Sequence, residues 1–256
     1  MASTETTRAS TEGYDREIFD QLVEIEDRSF WFRARNRLIV RLVSEYAEPR
    51  ARFLEIGCGT GYVLKALVEE CGLQATGAEL YAEGLEHARR RVPTANFVEL
   101  DAREMPYEAS FDLVGAFDVL EHIDDDLGVL RGLHRAVRPG GHALLTVPQH
   151  PKLWSAADTF AHHVRRYRRS DLLAKLRQTG FVPVRVTSFV MSPLPLMALS
   201  RLRERMGDGR YDPIAELTPP EPANRLLERV LDIERALIER GVDLPAGGSL
   251  VVVAQR

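Results

Sequence analysis

The sequence predicts an α/β fold, a doubly wound and mostly parallel sheet of seven strands, on three observations. From Arg52 onward, short apolar runs alternate with longer amphipathic stretches, the alternation of a sheet covered by helices on both faces. A glycine-rich turn, Gly57-Cys58-Gly59-Thr60-Gly61, joins the first apolar run to the first amphipathic one. Such a turn lets a ligand touch bare backbone and the free N–H groups of a helix N-terminus. Residues 249–254 form a continuous β-branched run, as a strand buried on both faces should.

The elements follow in order. Residues 1–13 are polar, rich in Thr, Ser and Glu, and read as a disordered leader without an apolar signal core. Residues 14–48 are helical in pattern and form an N-terminal helical cap, with Ile18, Leu22 and Ile25 on one face and Leu38, Leu42 and Val43 on another. Between these faces, Phe30-Trp31-Phe32 precede Arg33, Arg35 and Arg37. The aromatic run either staples the cap to the domain or covers a ligand pocket, with Arg33 or Arg35 meeting an anionic group. Pro49-Arg50 ends the cap. Strands are expected at 52–56, 73–79, 96–99, 111–117, 142–147, 181–190 and 249–254. Helices are expected at 62–70 (closed by Gly72), 81–91 (ended by Val92-Pro93), 124–137, and from a Ser170-Asp171 cap to Gln178. The domain at 49–256 thus carries two insertions, 148–169 and 191–248. The second contains an amphipathic helix, 222–240, with Leu226, Leu227, Val230, Ile233, Leu237 and Ile238 along one side.

Bulk properties exclude some classes. A net charge of −4 gives no global basic field, so nucleic acid is not an expected partner. Two cysteines, Cys58 and Cys71, make no disulfide framework, and a reducing cytoplasm is the expected setting. No apolar run reaches the ~18 residues of a membrane-spanning helix. Residues 189–197 are apolar, short and interrupted by proline. They read as a buried strand exit and helix start, or else as a greasy lid or a weak membrane-surface contact.

The glycine turn lacks the Lys-Ser/Thr of a P-loop and is not spaced G-x-G-x-x-G. With Glu55 before it, E-x-G-C-G-T-G resembles the first motif of class I S-adenosylmethionine (SAM) dependent methyltransferases. The resemblance continues through Gly77-Ala78-Glu79-Leu80, Glu99-Leu100-Asp101-Ala102, Phe111-Asp112-Leu113-Val114, Asp118-Val119-Leu120-Glu121-His122 and Arg138-Pro139-Gly140-Gly141. It covers residue 52 to about residue 190 and the last strand. It implies a Rossmann-like fold with the last strand antiparallel, SAM as cofactor and S-adenosylhomocysteine as product. Glu79 would accept both ribose hydroxyls, chemistry that would suit NAD equally. Asp101 would receive the adenine amino group beside the Ala102 N–H, or else simply cap its loop. Glu55 would hold the methionine end or fix the turn. Gly57, Cys58, Gly59, Leu80 and Phe117 would complete the cofactor lining.

Asp118, Glu121 and His122 read either as metal ligands or as residues that shape the loop. The second role is simpler, so no metal is expected. His122 is one candidate base. The insertion Pro148-Gln149-His150-Pro151-Lys152-Leu153-Trp154, with Asp158 and His162-His163-Val164-Arg165-Arg166-Tyr167, resembles a bacterial branch of the family with P-x-x-P-x-L-W…D-x-x-x-G-H-x-R-R-Y. His163 falls on that pattern's histidine, and His162 replaces its glycine. This segment should wall the acceptor pocket, with His163 as the second candidate base. Arg165 to Arg169 would grip an anion or act as internal anchors. The function expected is methyl transfer to a small, partly apolar metabolite, at oxygen. The alternatives are a protein or RNA methyltransferase and a non-catalytic SAM-binding partner subunit.

Overall fold

A computed structural model describes residues 16–205 and 216–256. The leader expected at 1–13 lies outside the described residues. The strands are β1 (Arg52–Ile56), β2 (Gln74–Glu79), β3 (Asn96–Glu99), β4 (Phe111–Phe117), β5 (Val137–Pro148), β6 (Val182–Phe189) and β7 (Ser249–Gln255). The helices are α1 (Arg16–Glu26), α2 (Phe30–Tyr46), α3 (Tyr62–Cys71), α4 (Ala82–Arg91), α5 (Asp126–Ala136), α6 (Ala156–Phe160), α7 (Arg169–Gln178), α8 (Leu194–Arg205) and α9 (Glu221–Glu239).

The strands form one sheet in the order β3-β2-β1-β4-β5-β7-β6. β1 to β5 pair in parallel, and β7 runs antiparallel to both β5 and β6. The winding reverses between β1 and β4, so the carboxyl ends of these strands bound the crevice where open α/β sheets bind ligands.

The two-residue period of a strand decides what each face buries. Leu54, Ile56, Val114, Ala116, Leu145 and Val252 pack with α5 and α7 on one side. Phe53, Leu113, Leu144, Val251 and Val253 pack with α2, α3 and α9 on the other. Glu55 alternates with Leu54 and Ile56, so it shares the Phe53 side and lies toward α2.

Several expectations need correction. The cap is two helices, because Ser29 starts α2 by accepting from the Trp31 N–H at 3.3 Å. β5 begins at Val137, directly after α5. Arg168, not the Ser170-Asp171 pair, precedes α7, and the Ser170 hydroxyl bonds its neighbour Asp171. On α9 the buried stripe is Asn224, Leu231, Glu234 and Ile238, whereas Leu226, Ile233 and Leu237 are exposed. Glu234 is buried because its carboxylate accepts from the Met191 and Ser192 N–H groups at 3.0 and 2.6 Å.

Polar contacts tie the cap to the domain. Glu26 of α1 is buried and accepts from the Thr60 hydroxyl and from Arg91, each at 2.6 Å, which joins α1 to the glycine turn and α4. Arg33 and Arg37 of α2 both pair with Glu228 of α9. Among the described residues, no helix is long and apolar enough to cross a membrane.

Candidate active site

β1 delivers the chain into the crevice through two left-handed glycines. Gly57 has φ +65°, and a Cβ there would stand 2.6 Å from Val119 Cγ2. Gly59 has φ +51°, and nothing lies within 4 Å of where its Cβ would be. The first glycine therefore permits close packing against the loop after β4, and the second leaves backbone open to a ligand. Cys58 is buried, and a Cβ on Gly77 would meet its Sγ at 2.8 Å, so the thiol points beneath the turn toward β2.

Glu79, at the end of β2, holds this turn. Its Oε2 accepts from the Gly59 N–H at 2.9 Å, and its Oε1 accepts from the Leu80 and Tyr81 N–H groups at 2.8 and 3.2 Å. Burial pushes its pKa up, and the three backbone donors oppose that rise. An ionised carboxylate offers about four acceptor positions, so it retains capacity beyond these three bonds. Leu80 is exposed beside it. Asp101 follows β3 and bonds the Arg103 backbone N–H and Nε, both at 2.9 Å. Arg103 thereby holds its carboxyl below the ordinary range. Asp101 caps its loop through these bonds, and its neighbour Ala102 is buried.

Arg35 of α2 enters from the opposite side. Its guanidinium lies 5.0 Å from the Trp31 ring centre and 6.0 Å from that of Phe117, and pairs with Asp118 Oδ2 at 2.5 Å. Asp118 takes φ +58°, and its Oδ1 accepts from the Thr146 hydroxyl at 3.1 Å. Glu55 is 2% exposed, and its Oε2 has no hydrogen-bond partner. Burial raises its pKa well above the carboxylate range, with the Arg35 charge pulling the other way. Glu55, Gly57, Gly59, Glu79 and Phe117 thus lie around one crevice, and Arg35 is the arginine that joins them.

The insertion after β5 folds over the turn that follows β4. The Val164 N–H donates to the Glu121 carbonyl at 2.7 Å, and His122 and His163 meet edge to face with ring centres 4.8 Å apart. His162, which stands where the related pattern has glycine, takes φ +53°, in the left-handed region. His163 Nδ1 stands 2.9 Å from Asp158 Oδ1, which also accepts from Arg166 Nε at 2.7 Å. Ser155 donates its N–H and hydroxyl to Asp158 Oδ2 at 2.9 and 3.2 Å. Burial opposes ionisation of Asp158, yet His163 and Arg166 hold its pKa down at about 2.

With Nδ1 engaged, His163 turns Nε2 toward Glu121 Oε1, 4.0 Å away. Glu121 is fully buried, and neither of its carboxylate oxygens has a hydrogen-bond partner. Burial, with the nearby Asp118 charge, raises its pKa well above the ordinary range. Burial and then His163 lower the pKa of His122 to about 4.

The arginines here are internal anchors. Arg165 donates to the Ile123 carbonyl at 2.6 Å, Arg166 reaches Asp158, and Arg169 donates to the Val186 carbonyl. The sequence names Asp158 only as part of the insertion's pattern, without a partner for it. Its signal was present as Ser155-x-x-Asp158, a capping-box spacing that fixes an acid at a helix start.

A doubly wound sheet with a glycine turn, an acid closing the second strand and a loop insertion over the switch point defines an α/β domain built to hold a nucleoside cofactor. The family model described as methyltransferase domain matches residues 26–186, and the chain belongs to the class I SAM-dependent methyltransferase family. The ubiquinone biosynthesis O-methyltransferase of Ruegeria pomeroyi is 31% identical over 162 residues, 56% of this chain and 64% of that protein. A probable SAM-dependent methyltransferase of Mycolicibacterium smegmatis is 28% identical over 61% of each chain. The chain spans less than two thirds of the length of these curated relatives. In fold, the Haemonchus contortus phosphoethanolamine N-methyltransferase 2 bound to SAM superposes with a TM-score of 0.64 at 23% identity, covering 95% of this chain and 57% of that one. The [4+2]-cyclase SpnF gives 0.59 at 21% identity, covering 88% and 83%. Such neighbours share the fold alone, and one of them is named for a different reaction.

Proposed function

We propose that the chain transfers a methyl group from SAM to a small, partly apolar acceptor, at oxygen. The residues fit the cofactor. Glu55 presents a buried, unpartnered carboxylate oxygen suited to an ammonium group, Gly59 leaves open space beside bare backbone, and Glu79 keeps acceptor capacity for ribose hydroxyls. Glu79 and Leu80 would bind the ribose, and Asp101 with the Ala102 N–H the adenine. Glu55, Gly57, Cys58, Gly59 and Phe117 would line the methionine end. SAM supplies an electrophilic methyl on a sulfonium, which an acceptor oxygen takes by in-line displacement. Positioning supplies much of the acceleration.

The observation that carries the acceptor side is the Asp158–His163 pair above the carboxyl ends of β4 and β5. Asp158 fixes the ring through Nδ1, and Nε2 faces inward, where it can take a hydroxyl proton. His122, kept neutral by burial, stands against it. The O-methyltransferase relatives favour oxygen over nitrogen or carbon. The test is transfer of labelled methyl from SAM to a panel of small hydroxylated, partly apolar compounds. His163→Ala should lower turnover about 10²–10⁴-fold with SAM binding nearly intact. Wild-type kinetics in that variant, or transfer only to protein or RNA, would refute the reading.

A further inference from the structure

Glu121, His122 and His163 each present one ligand atom, and these atoms all lie within 4.8 Å of one another. Glu121 and His122 belong to the short turn after β4, and His163 to the insertion after β5. The Val164–Glu121 backbone bond holds the two segments together. Glu121 is the residue that asks for an occupant. Its carboxylate is withdrawn from water with neither oxygen hydrogen-bonded, an arrangement that costs free energy unless another group satisfies it. His163 shows the matching half of the design. Asp158 engages Nδ1 and leaves Nε2 aimed at Glu121. A carboxylate on the far nitrogen is how metalloproteins fix a ligating imidazole and raise its basicity.

We propose that this cluster binds a first-row divalent transition-metal ion, with Glu121, His122 and His163 as ligands and Asp158 as the outer partner of His163. Two imidazoles and one carboxylate suit Zn²⁺, Co²⁺ or Fe²⁺, whereas Mg²⁺ and Ca²⁺ take oxygen ligands. Ligands about 2.0–2.2 Å from one ion at the tetrahedral angle lie roughly 3.3–3.6 Å apart, so a set that now lies within 4.8 Å closes by up to about 1.5 Å on binding. Side-chain rotation supplies that movement. Three protein ligands leave open positions, as catalytic rather than structural metal sites do.

Read as a sequence, Glu121 and His122 had the simpler role of shaping their loop. It is the arrival of His163 from a distant segment that completes a donor set. Binding itself is independent of the acceptor. Its consequence rests on the function proposed above: the ion would make a bound acceptor hydroxyl acidic enough to give its proton to solvent water, and His163 would then serve as ligand in place of base.

The test starts with the intact chain, stripped by chelator and returned to chelator-free buffer. It is titrated with Co²⁺, read by its visible absorption, and with Zn²⁺, read by calorimetry. One equivalent should bind with micromolar affinity or tighter, and excess Mg²⁺ should not displace it. Glu121→Gln and His163→Ala should each weaken binding by at least about 100-fold, and Asp158→Asn by about 10–100-fold. His87→Ala, in a histidine paired with Asp20 on α1, should change nothing. Thermal melts of each variant show that it is folded. Absence of saturable Co²⁺ binding in the intact chain overturns the proposal whatever the variants do. So does equal binding by folded Glu121→Gln and His163→Ala. Loss of turnover in His163→Ala without metal binding sinks the ion and leaves the proton-acceptor role standing. Tight binding with no transfer to any small acceptor sustains the site and sinks the function.

Discussion

Replacing Glu79 by Ala tests the cofactor side most directly. In the folded chain its carboxylate accepts from three backbone N–H groups, those of Gly59, Leu80 and Tyr81, at 2.9, 2.8 and 3.2 Å. Hydrogen bonds to a charged group contribute about 1.5–3 kcal/mol each. Water can reach the crevice side of these donors after truncation, so we expect a loss of about 2–4 kcal/mol in stability rather than the full sum. The effect on binding is separate. The ribose hydroxyls share the one acceptor position that the three N–H groups leave, and a hydrogen bond to a charged group at about 1.5–3 kcal/mol makes that roughly 10–100-fold in Kd. Glu79→Gln keeps one carbonyl oxygen and should lose about 10-fold. Calorimetry with S-adenosylhomocysteine, on variants first shown to be folded by thermal melt, reads both. A folded Glu79→Ala chain with unchanged affinity would refute the ribose assignment.

Two further outcomes follow from burial. Glu55 has its pKa raised well above the carboxylate range by burial, so the cofactor-free fold holds a proton that the unfolded chain has released. Stability of that form should therefore fall as pH rises from the ordinary carboxylate range through the folded pKa. An arriving ammonium group expels the proton, so S-adenosylhomocysteine affinity should rise with pH up to that folded pKa. The binding enthalpy should depend on the buffer's heat of ionisation, and Glu55→Gln should abolish that dependence. On α9, Leu231 is 0% exposed and Leu226 is 63% exposed. Leu231→Ala should cost about 2–5 kcal/mol in urea melts, and Leu226→Ala within about 0.5 kcal/mol. Equal costs would mean that the helix is rotated from its described phase.

The sheet and the glycine turn were legible in the sequence because each rests on a short period or a residue type with one physical use. Apolar runs mark strands, and Gly57 and Gly59 mark left-handed backbone that faces a loop or a ligand. What was not legible depended on which of two equivalent phases packing would choose. On α9, the row through Leu226, Val230, Ile233 and Leu237 looks more apolar than the row through Asn224, Leu231, Glu234 and Ile238. The second row is nonetheless the buried one, because Glu234 meets two backbone N–H groups presented after β6. Arg33 and Arg35 posed the same problem. They sit two residues apart, about 200° around a helix. Arg33 and Arg37 share a face toward α9, and Arg35 turns into the crevice. Around His163 there is no period to read. Its bond to Asp158 crosses an irregular segment, and its approach to Glu121 joins two loops that only the finished sheet brings together.

The antiparallel β7 has a consequence for the order in which this protein can be made. Each of β2 to β5 pairs in parallel with a strand made before it, β2 and β4 with β1, β3 with β2 and β5 with β4, and can pair as it appears. β6 cannot, because its strand neighbour among the described residues is β7, synthesised after the second insertion. Until then the outer side of β5 is an unpaired edge, and β6 has no ladder to join. Closing a loop of roughly 60 residues is the entropic step that finally seats β7 between them. Such a non-local pairing is intrinsically slow and leaves apolar strand exposed while it waits. A strand with its whole centre buried is therefore the last of the seven to arrive, and the exposed β5 edge is where an incomplete chain would capture a second copy of β7 from a neighbour.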